Sequence, residues 1–192
     1  MARDSIIAAA LAAALSLAGC GTKPDIDHLK TYSDKTIAFS YPGNWKITEN
    51  VTETGPPSYR YLFVESPGSA IFSISEFYSA VPMDLKTYVL KFLESQQRNT
   101  QDAIKVGSLD LVKMGETSLQ DIDLVIMGRK REGFKHTFTL TLLDTKVPHI
   151  AHFYAIDDAQ DETLILMDQA PEEDAAGEKP GFDAIYGSLK LK

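Results

Sequence analysis

Apolar and polar positions alternate in strand fashion along most of this chain. Ile37, Phe39 and Tyr41 alternate with Thr36, Ala38 and Ser40, the period of two that marks a half-buried strand. Pro42-Gly43-Asn44 then signals a turn, and Trp45 and Ile47 restart an extended segment. Thr54-Gly55-Pro56-Pro57-Ser58 reads as a loop, and residues 59–65 and 70–77 read as a hairpin about Ser66-Pro67-Gly68. Residues 109–114, 124–131, 135–143, 150–156 and 164–167 also have strand character. The turns between them are short, which predicts mostly antiparallel pairing.

The period changes once, clearly, between residues 84 and 98. Leu85, Tyr88, Val89, Phe92 and Leu93 fall at helical spacing, Asp84 is placed to cap the first free N–H groups, and Lys86, Lys91, Glu94 and Gln97 occupy the other face. This predicts one amphipathic helix laid on a sheet. A short second helix is expected at residues 182–189, with Phe182, Ile185, Tyr186 and Leu189 on one face. Glu172-Glu173-Asp174 ahead of it reads as an acidic loop. The string β-β-β-β-α-β-β-β-β-β-α defines an α+β fold: one domain, a mostly antiparallel β-sheet flanked by helices.

The first twenty residues follow different rules. Arg3 gives a weakly basic start, offset by Asp4, and residues 5–17 form an Ala- and Leu-rich apolar run. That run has the length of a signal-peptide core and is shorter than the ~20 residues of a spanning helix. It ends in Leu17-Ala18-Gly19-Cys20, which resembles the lipobox of bacterial lipoproteins: an aliphatic residue, two small residues and a cysteine whose thiol is the acceptor for diacylglycerol. An ordinary signal peptide or an uncleaved anchor is the alternative. The lipobox reading divides the chain into a signal peptide at 1–19, a lipid-anchored tether at 20–33 and a domain at 34–192. Lipidation at Cys20 with more than one acyl chain would give stable anchoring to a membrane facing the periplasm. By the sorting rule of enteric lipoproteins, Gly21 favours the outer membrane.

Composition narrows the choices. The chain has 192 residues, enough for one domain with a real core, and a net charge of −8. An acidic domain is a poor nucleic-acid binder, because phosphates demand clustered Lys and Arg. Cys20 is the sole cysteine, which excludes an intrachain disulfide and a Cys-based metal or thiol site in the domain.

The segment Ile37-Ala38-Phe39-Ser40-Tyr41-Pro42-Gly43-Asn44-Trp45 resembles the opening of the PsbP/Mog/DcrB-like family. Members begin with an alternating apolar strand, then Pro, a short turn and Trp. The helix from Asp84 and the closing Phe182, Ile185 and Ser188-Leu189 fit the same layout, so the resemblance covers residues 32–192. It implies an α/β/α sandwich with helices on both sides of the sheet. It also implies a tendency to bind macromolecules without a shared catalytic set, since members include photosystem extrinsic subunits, a Ran-binding protein and envelope lipoproteins.

Candidate chemistry is sparse. Trp45 is either a recognition aromatic or, more commonly, the closure of one end of a core. The histidines are His28, His136, His149 and His152. His149-x-x-His152 has a spacing known from zinc sites, but on a strand residues three apart face opposite ways. If two strands pair around Lys146-Val147, His136 faces Asp157, and His136, His152 and Asp157 become a candidate site; a His–Asp pair orients an imidazole as a general base. A satisfied or sheet-edge histidine is the plainer reading. Asp121-x-Asp123 and Asp157-Asp158 have carboxylates for a divalent cation, without the loop such ions need. Neither G-x-x-x-x-G-K-S/T nor G-x-S-x-G occurs. Arg129, Lys130, Arg131 and Lys135 are expected at a hairpin tip around Glu132-Gly133, either as a contact patch for anionic headgroups or an acidic partner, or as a solvated tip.

These readings favour a non-enzymatic accessory or protein-binding module, with no cofactor and no metal expected and an envelope protein as partner. The alternative is a small-molecule or metal-binding lipoprotein that serves an envelope transporter. An envelope hydrolase ranks third.

Overall fold

A computed structural model of the chain describes residues 23–54, 58–78, 83–103, 105–106, 109–110, 112–142, 145–157 and 162–192. Residues 1–22, which include Cys20 and the expected signal peptide, and Asp158 lie outside the described residues. A small sheet of β1 (Lys30–Ser33), β2 (Ile37–Tyr41) and β12 (Lys190–Leu191) sits beside a seven-stranded sheet. In chain order the large sheet contains β3 (Lys46–Glu53), β4 (Ser58–Glu65), β5 (Ile71–Tyr78), β8 (Val112–Ile126), β9 (Arg129–Leu142), β10 (Thr145–Ile156) and β11 (Glu162–Pro171). Its spatial order is β3-β4-β5-β11-β10-β9-β8, with antiparallel pairing throughout. A two-stranded ribbon pairs β6 (Lys105–Val106) with β7 (Leu109–Asp110). The helices are α1 (Leu85–Ala103) and α2 (Glu172–Ser188).

The helices cover opposite faces of the large sheet, so the core has two parts. On the α1 face Val89 packs with Phe138, Leu140, Ala151, Phe153 and Met167. On the α2 face Trp45, Phe72, Tyr154 and Leu166 pack with Phe182, Ile185 and Tyr186, and β2 adds Ile37 and Phe39. The central strands β5 and β11 are buried on both faces, and they enclose polar side chains (Ser73, Ser75, Glu76, Asp168 and Gln169) among their apolar ones. Trp45 is fully buried, with its ring edge-on to Phe182 at 5.3 Å. At the start of α1, Asp84 Oδ2 accepts the Thr87 N–H at 2.7 Å, as the capping pattern predicts.

Arg60 of β4 ties the two sheets together. Its guanidinium lies 3.2 Å from buried Glu76 of β5 and 2.5 Å from Asp34, between β1 and β2, and it donates to the Tyr32 hydroxyl. Burial works against ionised Asp34. The backbone N–H groups of Ile37 and Thr36, the Tyr32 hydroxyl and Arg60 outweigh it and hold this carboxyl well below its usual range.

Four expectations need correction. Residues 30–33, expected within the tether, form β1 and pair with β2 through Tyr32↔Phe39. Glu172-Glu173-Asp174 is the first turn of α2, where the positive end of the helix dipole favours acidic residues. The hairpin tip after β8 is Met127-Gly128, with φ of 53° and 72°, and Glu132-Gly133 lies inside β9. β9 runs to Leu142 and β10 starts at Thr145, so Lys146 and Val147 are strand residues paired with Thr141 and Leu140.

Candidate functional site

The registers of β9, β10 and β11 decide which titratable side chains meet. His152 stands opposite Asp168 of β11 on one side and Lys135 of β9 on the other, all three on the α2 face. His152 Nδ1 lies 2.7 Å from Asp168 Oδ1, and the Tyr186 hydroxyl of α2 donates to Asp168 Oδ2 at 2.7 Å. The Asp168 side chain is only 10% exposed, while His152 keeps 32% of its side-chain surface open. A carboxylate this enclosed needs its lone pairs satisfied, and the imidazole and the phenol do so.

The consequence is a preferred tautomer. A carboxylate acceptor at Nδ1 favours the ring proton there and leaves Nε2 as the unprotonated nitrogen of the neutral ring. Burial raises the pKa of Tyr186, and the neighbouring Asp168 carboxylate raises it further, so Tyr186 stays a hydrogen-bond donor at neutral pH. Tyr154 is raised by the same causes and packs edge-on to Tyr186 at 5.7 Å. The trio can present a basic nitrogen for proton transfer or for a polar ligand. Along β10 the same face carries Ile150 and Tyr154, and across the sheet Lys135.

His136 takes the other face, so His136, His152 and Asp157 do not form one site. In the register of β9 against β10, His136 pairs with Ala151 rather than Asp157. Asp157 is exposed at the end of β10, 3.9 Å from Arg131 Nη1. His136, Phe138 and His149 stack in a ladder on the α1 face, with centroid spacings of 4.9 and 5.1 Å and tilts of 13° and 17°. Burial lowers the pKa of His136 to about 4. It lowers His149 too, against the opposing pull of the Val147 carbonyl on Nδ1 at 2.9 Å. Both rings are therefore neutral at pH 7, and neither ring nitrogen of His136 has a hydrogen-bond partner among the described residues. His149 and His152 point to opposite faces, as their spacing predicts, which separates them as ligands.

Arg129, Lys130 and Arg131 directly follow the Met127-Gly128 tip, and Lys135 lies further along β9. Along β9 they alternate, with Arg129, Arg131 and Lys135 on the α2 face and Lys130 on the other, 3.4 Å from Asp123. Among the described residues no group of three or more His, Cys, Asp or Glu side chains is close enough to hold a metal ion. No described helix is long and apolar enough to cross a membrane.

Asp168 and Tyr186 are the site residues that sequence reasoning missed. The signal was a carboxylate set directly after the apolar run Leu164–Met167, in a strand buried on both faces. Ending that strand at residue 167 left Asp168 outside it.

The fold is PsbP-like: the chain resembles the solution structure of cyanobacterial PsbP from Synechocystis, with a TM-score of 0.50 and 14% identity over 92% of this chain and 98% of that one. A weaker likeness, with a TM-score of 0.40 and 10% identity over 86% of this chain and 91% of the other, links it to LpqN of Mycobacterium tuberculosis, a protein involved in cell envelope biogenesis. No protein-family model and no curated protein matches the sequence.

Proposed function

We propose that this chain is a membrane-anchored envelope lipoprotein whose single PsbP-like domain acts as a non-catalytic accessory or protein-binding module. The observation that carries the reading is the position of Cys20. The sole cysteine closes a lipobox-like Leu17-Ala18-Gly19-Cys20, and Pro24, four residues on, is already buried. A thiol in that place serves acylation and leaves the domain close to the membrane it is anchored to. The periplasm is the compartment that fits such a leader, and Gly21 favours the outer membrane. The PsbP-like fold supports a module that works by contact.

Co-purification from solubilised envelopes tests this, with the wild type set against Cys20→Ser. A partner enriched only with the lipidated form supports the accessory reading. Equal recovery of the same proteins with both forms removes the anchor from the interaction and counts against it.

The His152–Asp168–Tyr186 trio favours a second reading, a small-molecule binder. Its signature is a polar ligand that raises the melting temperature of the wild type and leaves a His152→Ala variant unmoved. A ligand that stabilises both equally binds elsewhere.

A further inference from the structure

The stretch between Cys20 and β1 is fastened to the domain. The Asp25 N–H donates to Asn44 Oδ1 at 2.9 Å, the Asn44 side-chain amide donates to the Lys23 carbonyl at 2.9 Å, and the Gly43 N–H donates to the Asp25 carbonyl at 2.9 Å. Pro24 is buried beneath this contact. Gly43 is required there, because a Cβ would run into the His28 carbonyl. Residues 23–29 therefore form a fixed turn on the surface, where a tether was expected.

That turn carries two large apolar side chains facing solvent: Ile26, 48% exposed, and Leu29, 46% exposed. Single exposed apolar residues are ordinary on soluble domains. Position makes these two different. They follow Cys20 by six and nine residues. The three peptide steps from Cys20 to Lys23 span at most about 10 Å. An acylated Cys20 would hold the turn within that distance of the lipid surface, and the hydrogen bonds to Gly43 and Asn44 keep it from swinging away.

We propose that Ile26 and Leu29 form a foot that enters the interface of a phospholipid bilayer beside the lipidated Cys20. The inference rests on the anchoring reading above and adds to it a defined face of the domain turned to the membrane. Charge permits the contact. Lys23 and Lys30 balance Asp25 and Asp27, and the Asp25 carboxylate is engaged by the His28 backbone N–H at 3.2 Å and the His28 ring at 3.1 Å. The Lys30 ammonium donates to the Trp45 carbonyl at 3.2 Å, and the Lys23 stem can lie along the interface with its ammonium at headgroup level. Two apolar side chains add a second attachment to the acyl chains, the combination that makes anchoring both stable and oriented.

Site-directed labelling of the full-length, membrane-extracted protein tests the foot. Acylated Cys20 cannot react, so Ile26→Cys, Leu29→Cys and the control Val125→Cys each offer one free thiol; Val125 is 66% exposed on β8. Each variant receives an environment-sensitive dye. It is then reconstituted into vesicles of phosphatidylethanolamine and phosphatidylglycerol whose acyl chains carry a quencher. Quenching at 26 and 29 at least roughly twofold above that at 125 is expected for groups seated in the interface. Vesicle-bound protein with equal, weak quenching at all three positions overturns the foot and leaves the anchor standing. Protein that floats free of the vesicles overturns both.

Discussion

Asp168 is the residue on which the candidate site turns. Its two oxygens serve His152 and Tyr186, one each, from an enclosed position. Asp168→Asn exchanges one acceptor oxygen for a donor amide and leaves a buried polar group of the trio unmatched. We expect a loss of about 1–3 kcal/mol in denaturant unfolding. Tyr186→Phe, which removes one hydrogen bond and keeps the ring, should lose only about 1 kcal/mol. Equal stability of Asp168→Asn and wild type would mean that the trio is not formed. His136 gives the opposite case, a buried ring with no polar partner among the described residues. Folded His136 resists protonation down to about 4, whereas its ordinary value is 6.5. The unfolded chain takes up that proton first, so stability falls as pH drops from 6.5 towards 4 and the contribution is fully present above 6.5. His136→Leu removes both the orphaned nitrogens and this slope. Its melting temperature should match or exceed the wild type at pH 7, with the gap widening towards pH 4.5; a gap that stays constant with pH would contradict the assignment.

At the scale of elements, the β8–β9 hairpin shows why some of this fold was legible and some was not. A turn around Glu132-Gly133 is what the gap between the strand-like runs 124–131 and 135–143 suggests. Gly133 instead lies in mid-strand opposite Tyr154, whose ring occupies the space a Cβ would take. The true turn, Met127-Gly128, is of the hairpin type that needs two positive φ angles, and Met at the first of them gave no warning. The two glycines make separate predictions. Gly128→Ala meets nothing within 4 Å, so its cost is conformational alone, about 1 kcal/mol. Gly133→Ala forces Tyr154 and the β10 backbone apart and should cost about 2–3 kcal/mol. Thermal unfolding of the two variants reads the order directly, and a smaller loss at 133 than at 128 would contradict the packing described. The helices show the same contrast. α1 was readable because its apolar spacing is unbroken from Leu85 to Leu93 and Asp84 caps it. The first half of α2 was not, because Gly177, Pro180 and Gly181 interrupt it and only Phe182 onwards shows an apolar stripe.

For the molecule as a whole, the sequence disclosed class better than contacts. Alternation and the 84–98 helix were sufficient for a mostly antiparallel sheet with a helix laid on it, since both follow from local periodicity; a helix on each face was what the family resemblance, carried in part by the Trp after a Pro-Gly turn, implied. The pairing of His152 with Asp168 was not available that way. It depends on the register of β10 against β11, which is fixed by turns and cross-strand packing far from either residue. The same holds for residues 30–33, where Tyr32 alone hints at a strand and pairing with β2 supplies the rest.

The central claim is that Cys20 anchors the domain to a membrane, and the mass of the mature protein extracted from membranes tests it most directly. The account predicts a chain that begins at Cys20 and is heavier than its sequence by a diacylglycerol group, with Cys20→Ser leaving that mass unattainable. A chain of unmodified mass, or one that still carries Met1 and the apolar run, would contradict it.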